Sequence, residues 1–285
     1  MAIDFNRKAF IDAVEARNIT AEALAEAASA DKETAMAWLS GDKDPDVYEL
    51  MRLSKFMKVP FALVSGLDDN DSYDYGKDYR ARLFREENMF GKMMDYATGY
   101  GLEETYKALG YMCERHMGQF RKQSIRTEDK VLYINHPLTM ACQVIACGIK
   151  DDCLIAAILL HDVVEDTDDE ISDLPFSDEV KELVDLVSRN GKTIDEYYDN
   201  IAKNGKACVI KITDRCNNVS TMAGCFSDAG MKKYIKETEE CVLPLIDIVK
   251  RDYPEYKDIV FLAKYHILSV IETIKALTGF GGDIE

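Results

Sequence analysis

The chain has 285 residues, 47% hydrophobic and 31% charged, a balance expected of a globular protein with one large domain or two smaller ones. Its formal net charge of −17 argues against broad affinity for DNA or for an anionic membrane surface, so an anionic substrate must be received by a metal or a local basic cluster. No basic-then-apolar leader is visible at Met1, no apolar run is long enough to span a bilayer, and the eight cysteines include no C-x-x-C pair. Reduced thiols in a cytoplasmic protein are therefore the expectation.

Residues 1–67 read as a compact helical unit. Phe5, Phe10, Ile11 and Val14 form one helical stripe, Thr20 is placed to cap a helix carrying Leu24, Ala25 and Ala28, and Asp31 to cap a third carrying Ala35, Trp38 and Leu39 that ends at Gly41. Pro45 is expected to open a fourth helix with Leu50, Leu53 and Phe56-Met57, and a last turn holds Phe61, Leu63 and Val64 before Gly66. The acidic, polar stretch 68–80 reads as a linker. Beyond it, in residues 81–285, helical periodicity predicts helices over 85–98, 102–122, 137–148, 152–165, 178–189, 194–204, 206–224, 229–250 and 255–277. No segment alternates with period two, so the chain is expected to be all-α.

The most informative stretch is the apolar run Cys153 to Leu160, which ends in His161-Asp162 and is followed at once by Glu165 and Asp166. Carboxylates beside a buried helix are strongly disfavoured unless something positive sits there. A divalent metal answers that need. His136, just before Pro137, and Asp214, after the apolar Val209-Ile210 and Ile212, supply the other half of a four-ligand set. Two imidazoles and two carboxylates suit Mn²⁺, Fe²⁺ or Zn²⁺ better than Ca²⁺ or Mg²⁺. Glu165 and Asp166 lie four residues beyond His161 and Asp162, on the same helical side, where they can orient ligands or a water. Lys211, Asp214, Asn218 and Thr221 form a polar stripe that reads as a site wall. Taken singly, a histidine beside a helix is usually a hydrogen-bonded structural residue and an acidic run a solvated helix end. Their conjunction against apolar helices favours a site. Asp166, Asp168 and Glu170 alternate like a calcium loop, but Ile171 stands where that loop needs glycine.

His136, His161-Asp162 and Asp214 resemble the H…HD…D signature of HD-domain phosphohydrolases. More narrowly, Tyr133 to Pro137, Ala157 to Thr167 and Lys211 to Asn218 resemble the hydrolase domain of the RelA/SpoT family over about residues 105 to 225. The resemblance implies an HD-domain helical bundle that removes the 3′-pyrophosphate of guanosine 3′,5′-bis-diphosphate, the stringent-response alarmone, with Mn²⁺. It implies metal ligation by His136, His161, Asp162 and Asp214, catalysis by Glu165 and Asp166, and nucleotide contacts by Arg121, Lys122, Asn218 and Thr221. Two departures bear on the substrate. The stretch from Gln123 to Leu132 is longer than usual and adds Arg126 and Lys130, and Asn217 stands where the family usually has histidine. With the chain ending at Glu285, a hydrolase-only protein is implied.

Residues 5–66 resemble the Cro/C1-type helix-turn-helix of phage repressors, through Thr20, Leu24-Ala25, Trp38 to Gly41, Pro45 and Leu53 through Leu63. These are packing and turn positions, so they speak for fold rather than DNA binding. Over residues 1–67, 8 basic against 11 acidic residues leave a net of −3, and the presumed recognition helix opens on Asp31-Lys32-Glu33. DNA is disfavoured on that charge, and a protein partner or self-association is the expected role. The alternatives to ppGpp hydrolysis are an HD phosphohydrolase acting on another nucleotide and an alarmone-sensing transcriptional regulator without turnover.

Overall fold

The computed structural model describes residues 5–66 and 77–280. Among them there is no strand, only a single antiparallel bridge between Phe120 and Leu132, and the fold is all-helical as expected. No helix among the described residues is long and apolar enough to cross a membrane.

Five short helices come first: α1 (Arg7–Ala16), α2 (Ala21–Ala28), α3 (Lys32–Ser40), α4 (Val47–Met57) and α5 (Phe61–Ser65). The expected caps form. Thr20 accepts the Ala23 N–H at 3.3 Å, Asp31 accepts the Thr34 N–H at 2.6 Å, and Gly41 closes α3 at φ +96°. Pro45 does not open α4; Asp46 caps it through a reciprocal box with Glu49, whose carboxylate reaches back to the Asp46 N–H at 2.7 Å. These helices bury Phe10, Leu24, Trp38, Leu50 and Leu53 against one another. The same core continues beyond them, since Phe61 packs edge-on to Phe90 at 5.6 Å and donates its N–H to Asp95 at 2.5 Å.

Of the expected linker, residues 68–76 lie outside the described residues. The chain is already ordered at Asp78, whose carboxylate grips Arg80 at 2.8 Å in a buried pair, and α6 runs Tyr79–Leu83. Then come α7 (Glu86–Tyr100), α8 (Glu103–Arg115), α9 (Asn135–Ala146), α10 (Asp152–Leu160), α11 (Val163–Asp166), α12 (Asp178–Val187), α13 (Ile194–Ile201), α14 (Gly205–Cys225), α15 (Asp228–Glu237), α16 (Leu243–Asp252) and α17 (Lys257–Thr278).

The centre is α10. Leu154 through Leu160 are all buried, so the helix is apolar on every side and needs neighbours all round. It has them in α8, α9, α12 and α14. Its first turn also serves α8, because Asp152 accepts the N–H groups of Glu104 and Thr105 at 2.9 and 2.7 Å, which that helix cannot satisfy itself.

Three predicted helices are corrected. The helix expected over 102–122 ends at Arg115, because the chain reverses at Gly118 (φ +78°) and pairs with itself, Arg121 N–H to Val131 O at 2.9 Å. The helix expected over 152–165 breaks at His161-Asp162, where the Asp162 backbone turns out to φ −100°, ψ −5°. The helix expected over 229–250 widens into a π turn at Thr238–Val242, just ahead of Pro244, which has no N–H to continue an α ladder. Pro137, expected as the first residue of its helix, is third, so His136 lies within the first turn of α9.

Candidate metal centre

The first turn of α9, the break after α10 and the middle of α14 meet at one point. Each presents a polar side chain from an otherwise apolar surface. His136 and His161 are 1% and 5% exposed, and their Nε2 atoms face each other at 3.2 Å. Asp162 Oδ2 lies 3.0 Å from His161 Nε2 and 3.7 Å from His136 Nε2, and Asp214 Oδ1 lies 3.3 Å from His136 Nε2.

The opposite ring nitrogens fix the tautomers. His161 Nδ1 meets the Ile158 carbonyl at 2.7 Å, which only accepts, so Nδ1 carries the hydrogen. His136 Nδ1 likewise donates to Asn217 Oδ1 at 2.6 Å. In the neutral rings both Nε2 lone pairs therefore point at each other and at two carboxylates. That arrangement requires a positive charge at its centre; the ligand atoms of His136, His161 and Asp162 all lie within 4.8 Å of one another, a nitrogen and oxygen donor set that fits a divalent transition metal, and Asp214 stands beside it.

Without a cation, a proton takes its place. Burial disfavours the charged imidazole of His161, but the Asp162 carboxylate outweighs it and raises the pKa to about 9. Burial, then the cation of Arg121, push His136 down, so one histidine of the pair is charged. Burial opposes the charge of Asp162, yet His161 holds it well below the usual carboxylate range. Asp214 is also held well below that range. Burial opposes its charge, and the Lys211 ammonium at 2.9 Å more than compensates.

Around the cluster is a pocket of about 480 Å³, lined among others by Asp162, Asp214, Glu165 and Asp166. Glu165 and Asp166 are exposed at its mouth, on the single turn of α11. Glu165 accepts the Arg189 N–H, and the Asp166 carbonyl accepts from Gln119 Nε2 at 3.0 Å. Arg121 donates to Asn218 Oδ1 at 2.6 Å, and Asn218 Nδ2 donates to Asp214 Oδ1 at 2.5 Å, so both residues are tied to the cluster. Lys122 and Thr221 are not. Lys122 is exposed with its ammonium 4.9 Å from the Phe226 ring centre, and the Thr221 hydroxyl donates to the Asn218 carbonyl at 3.3 Å; neither lines the pocket.

Several participants were not singled out from the sequence. Tyr133 donates its hydroxyl to Asp162 Oδ2 at 2.5 Å and stacks on His116, 4.6 Å between ring centres. Arg189, Lys233 and Tyr234 line the pocket from elsewhere in the chain. Arg215, buried beside Asp214, pairs with Glu237 at 2.6 Å and reaches the Tyr198 hydroxyl at 3.0 Å, locking α14 to α13 and α15. Only the Tyr133 signal was readable in advance, as an aromatic three residues before His136. A larger cavity of about 910 Å³ lies on the other face of α14, where Asn217 and Ser220 border it, and contains none of the cluster.

Fold and cluster together define an all-helical protein in which His136, His161 and Asp162 form a group able to hold a metal ion, with Asp214 beside His136. No family model matches the chain. Among curated proteins it is similar to a guanosine-3′,5′-bis(diphosphate) 3′-pyrophosphohydrolase of Aquifex aeolicus, 34% identical over 154 residues, which cover 50% of this chain and 21% of that protein. It is similar to a probable GTP pyrophosphokinase of Mycobacterium leprae, 35% identical over 144 residues, 46% of this chain and 17% of that protein. A guanosine-3′,5′-bis(diphosphate) 3′-pyrophosphohydrolase of Xenopus tropicalis is 29% identical over 144 residues, 46% of this chain and 76% of that protein. The chain thus spans about a fifth of the first two relatives and about three quarters of the third. A solved metazoan ortholog of SpoT that hydrolyzes ppGpp aligns over 60% of this chain and 94% of that one, at 21% identity and a TM-score of 0.47, too low to bear on function.

Proposed function

We propose that the chain is a metal-dependent pyrophosphohydrolase that removes the 3′-pyrophosphate of guanosine 3′,5′-bis(diphosphate) or a close relative. The observation that carries this reading is the convergence of two tautomer-fixed Nε2 lone pairs and two carboxylates, with two exposed carboxylates at the mouth of the same pocket. The activity of relatives such as the Aquifex aeolicus protein, as their names give it, supports the choice of substrate.

In this reading His136, His161, Asp162 and Asp214 hold the metal, with Mn²⁺ the expected ion. When bound, the metal supplies Lewis acidity, making a water more acidic and polarising a phosphoryl oxygen. Glu165 and Asp166 position the attacking water and accept its proton. Arg121 reaches the pocket beside Tyr133 and neutralises charge on the departing pyrophosphate. Asn218, between Arg121 and Asp214, sets the spacing of phosphate grip and cluster. Lys122 and Thr221 act from outside the lining, through the loop and through the Asn218 backbone. Residues 1–67 are read as an interaction unit of helix-turn-helix type, supported by the acidic start of α3 at Asp31 and Glu33.

The test is pyrophosphate release with Mn²⁺ over a nucleotide panel, wild type beside Asp162→Asn. Release from guanosine 3′,5′-bis(diphosphate) that Asp162→Asn abolishes supports the reading. An untouched substrate with metal demonstrably bound refutes it and leaves another nucleotide or a sensor without turnover.

A further inference from the structure

The cavity of about 910 Å³ on the far face of α14 is larger than the pocket of about 480 Å³ around the cluster. It lies where the five short helices meet the rest of the chain. Ala62 of α5 borders it, and α6, α7, α9, α14 and α17 make the other walls. Much of the lining is apolar, with Phe84, Met89, Ala146 and Val270 among it, as is usual for sites that take small organic molecules at the junction of two units. Tyr79 and Phe84 leave apolar ring surface exposed there, their ring centres 6.2 Å apart.

The polar groups of this lining are mostly spoken for. Arg80 is held by Asp78, and Asp95 receives the Phe61 N–H at the start of α5. Burial pushes the pKa of His266 down, towards its neutral form, and its Nε2 meets the Ser220 hydroxyl at 2.7 Å. Lys92, exposed on α7, is the charge left over, with no ion pair or hydrogen bond among the described residues. An exposed lysine alone is ordinary; the amide on the opposite helix is not. Asn217 accepts His136 Nδ1–H on its Oδ1 at 2.6 Å. Its Nδ2 has no hydrogen-bond partner among the described residues and is not sealed in the protein interior, so two N–H donors are left on the cavity side. Gln143 adds a second amide without a partner among the described residues.

We propose that this cavity is an effector site for a small molecule with an apolar body and one carboxylate, and that its occupancy is transmitted to His136 through Asn217. The body covers the apolar lining, Lys92 supplies the attracting charge, and the acceptor oxygens meet the free donors of Asn217. The transmission is a matter of which end of one amide faces the histidine. With Asn217 turned end for end, its NH₂ would face His136 Nδ1 and favour the other tautomer, with the hydrogen on Nε2. An acceptor bound at Nδ2 holds the oxygen on the histidine and keeps the Nε2 lone pair towards Asp162 and Asp214. Where His136 serves as a metal ligand, the same occupancy strengthens metal binding, and metal strengthens effector binding by an equal factor.

The experiment titrates octanoate into chelator-treated full-length protein by calorimetry, beside octylammonium, which has the same chain and the opposite charge. Wild type is compared with Ala146→Trp, which fills an exposed part of the lining, with Lys92→Gln, and with Lys8→Gln, which removes an exposed charge elsewhere. Octanoate is expected to bind at one site, at least about 10-fold tighter than octylammonium. Ala146→Trp should weaken it about 10-fold or more, Lys92→Gln about 3- to 5-fold, as for an exposed charge, and Lys8→Gln not at all. No octanoate binding, equal binding of the two probes, or binding that neither Ala146→Trp nor Lys92→Gln weakens overturns the site. Imidazole ¹⁵N spectra of the same metal-free samples test the transmission. Saturating octanoate should move the His136 ring nitrogens in wild type, and the same concentration should leave them in place in Ala146→Trp. Resonances of His136 that stay put while octanoate binds overturn the coupling. Neither readout uses metal or nucleotide, so a chain that binds octanoate as described and hydrolyses no nucleotide would sink the pyrophosphohydrolase reading and leave the effector site standing.

Discussion

The Tyr133 hydroxyl donates to Asp162 Oδ2, the same oxygen that lies 3.0 Å from His161 Nε2. One oxygen therefore serves both a neutral donor and the cluster, and its aim is set by a ring that is itself stacked on His116. Replacing Tyr133 by Phe keeps the stack and removes the donor. Metal affinity, read by competition with a calibrated chelator, should fall about 10- to 100-fold, as for other partners of ligand carboxylates, while the melting temperature moves little. An unchanged affinity would show that Asp162 is aimed by His161 alone.

Asn217→Ala should have a comparable effect through His136, freeing the ring to rotate and to exchange tautomers, with metal affinity down about 10- to 100-fold. Imidazole ¹⁵N shifts in the metal-free protein give a second readout. A single tautomer at His136 should become a mixture in the variant, and a persisting single tautomer would count against this account.

Asp166→Asn and Glu165→Gln should keep the metal and lose the chemistry. Both side chains are exposed and neither is within the buried cluster, so metal content is expected to stay at the wild-type level. Turnover should fall by roughly 10² to 10⁴ for loss of general acid–base assistance. A fall in metal content matching the fall in rate would place them among the ligands instead.

Stability of the metal-free protein should depend on pH with a definite sign. The pKa of His161 is raised to about 9 from 6.5. Its contribution is full below about 6.5, the unfolded value, and is lost as pH rises through 9. Asp162 is depressed, so its contribution is present above its unfolded value of 3.8 and is lost only in strong acid. Urea midpoints of chelated protein should therefore decline from pH 6.5 to 9.5, and saturating metal should flatten the decline by displacing the proton. A rise over that interval would contradict the assigned charge states.

Gly205→Ala tests the far end of α14. A Cβ there would lie about 2.5 Å from the Tyr253 ring atoms, so ring or helix must move. The cost should be about 1 to 3 kcal/mol by urea denaturation, with the metal affinity of the folded protein retained. Wild-type stability would show that Tyr253 yields freely.

Much of this was legible in the sequence. The apolar run before His161 announced a buried helix, the caps at Thr20 and Asp31 followed from short-range chemistry, and periodicity located the helices around the cluster. What escaped falls into two kinds. The break at His161-Asp162, the early end of α8 at the Gly118 reversal and the π turn before Pro244 are local interruptions that a continuous helical period does not register. The hydrogen bond of Asn217 to His136 and the arrival of Arg189 and Lys233 in the pocket lining depend on elements far apart in the chain meeting in space, which no spacing rule reports. Lys122 and Thr221 show the converse. Lys122 follows the pocket-lining Arg121 and Thr221 stands one helical turn after the pocket-lining Asn218, and that proximity in sequence did not carry over to position in space.

The burial of α10 on every side has a consequence for how the molecule breathes. Amides from Leu154 to Leu160 have no route to solvent short of opening the whole bundle, so they belong to the slowest-exchanging set in hydrogen–deuterium exchange. The next turn, Val163–Asp166, is a single turn with both acids at the surface. His161 and Asp162 thus stand on the seam between the two, at the end of the slowest-opening segment, while Glu165 and Asp166 ride on a short, solvent-facing turn held by Arg189 and Gln119.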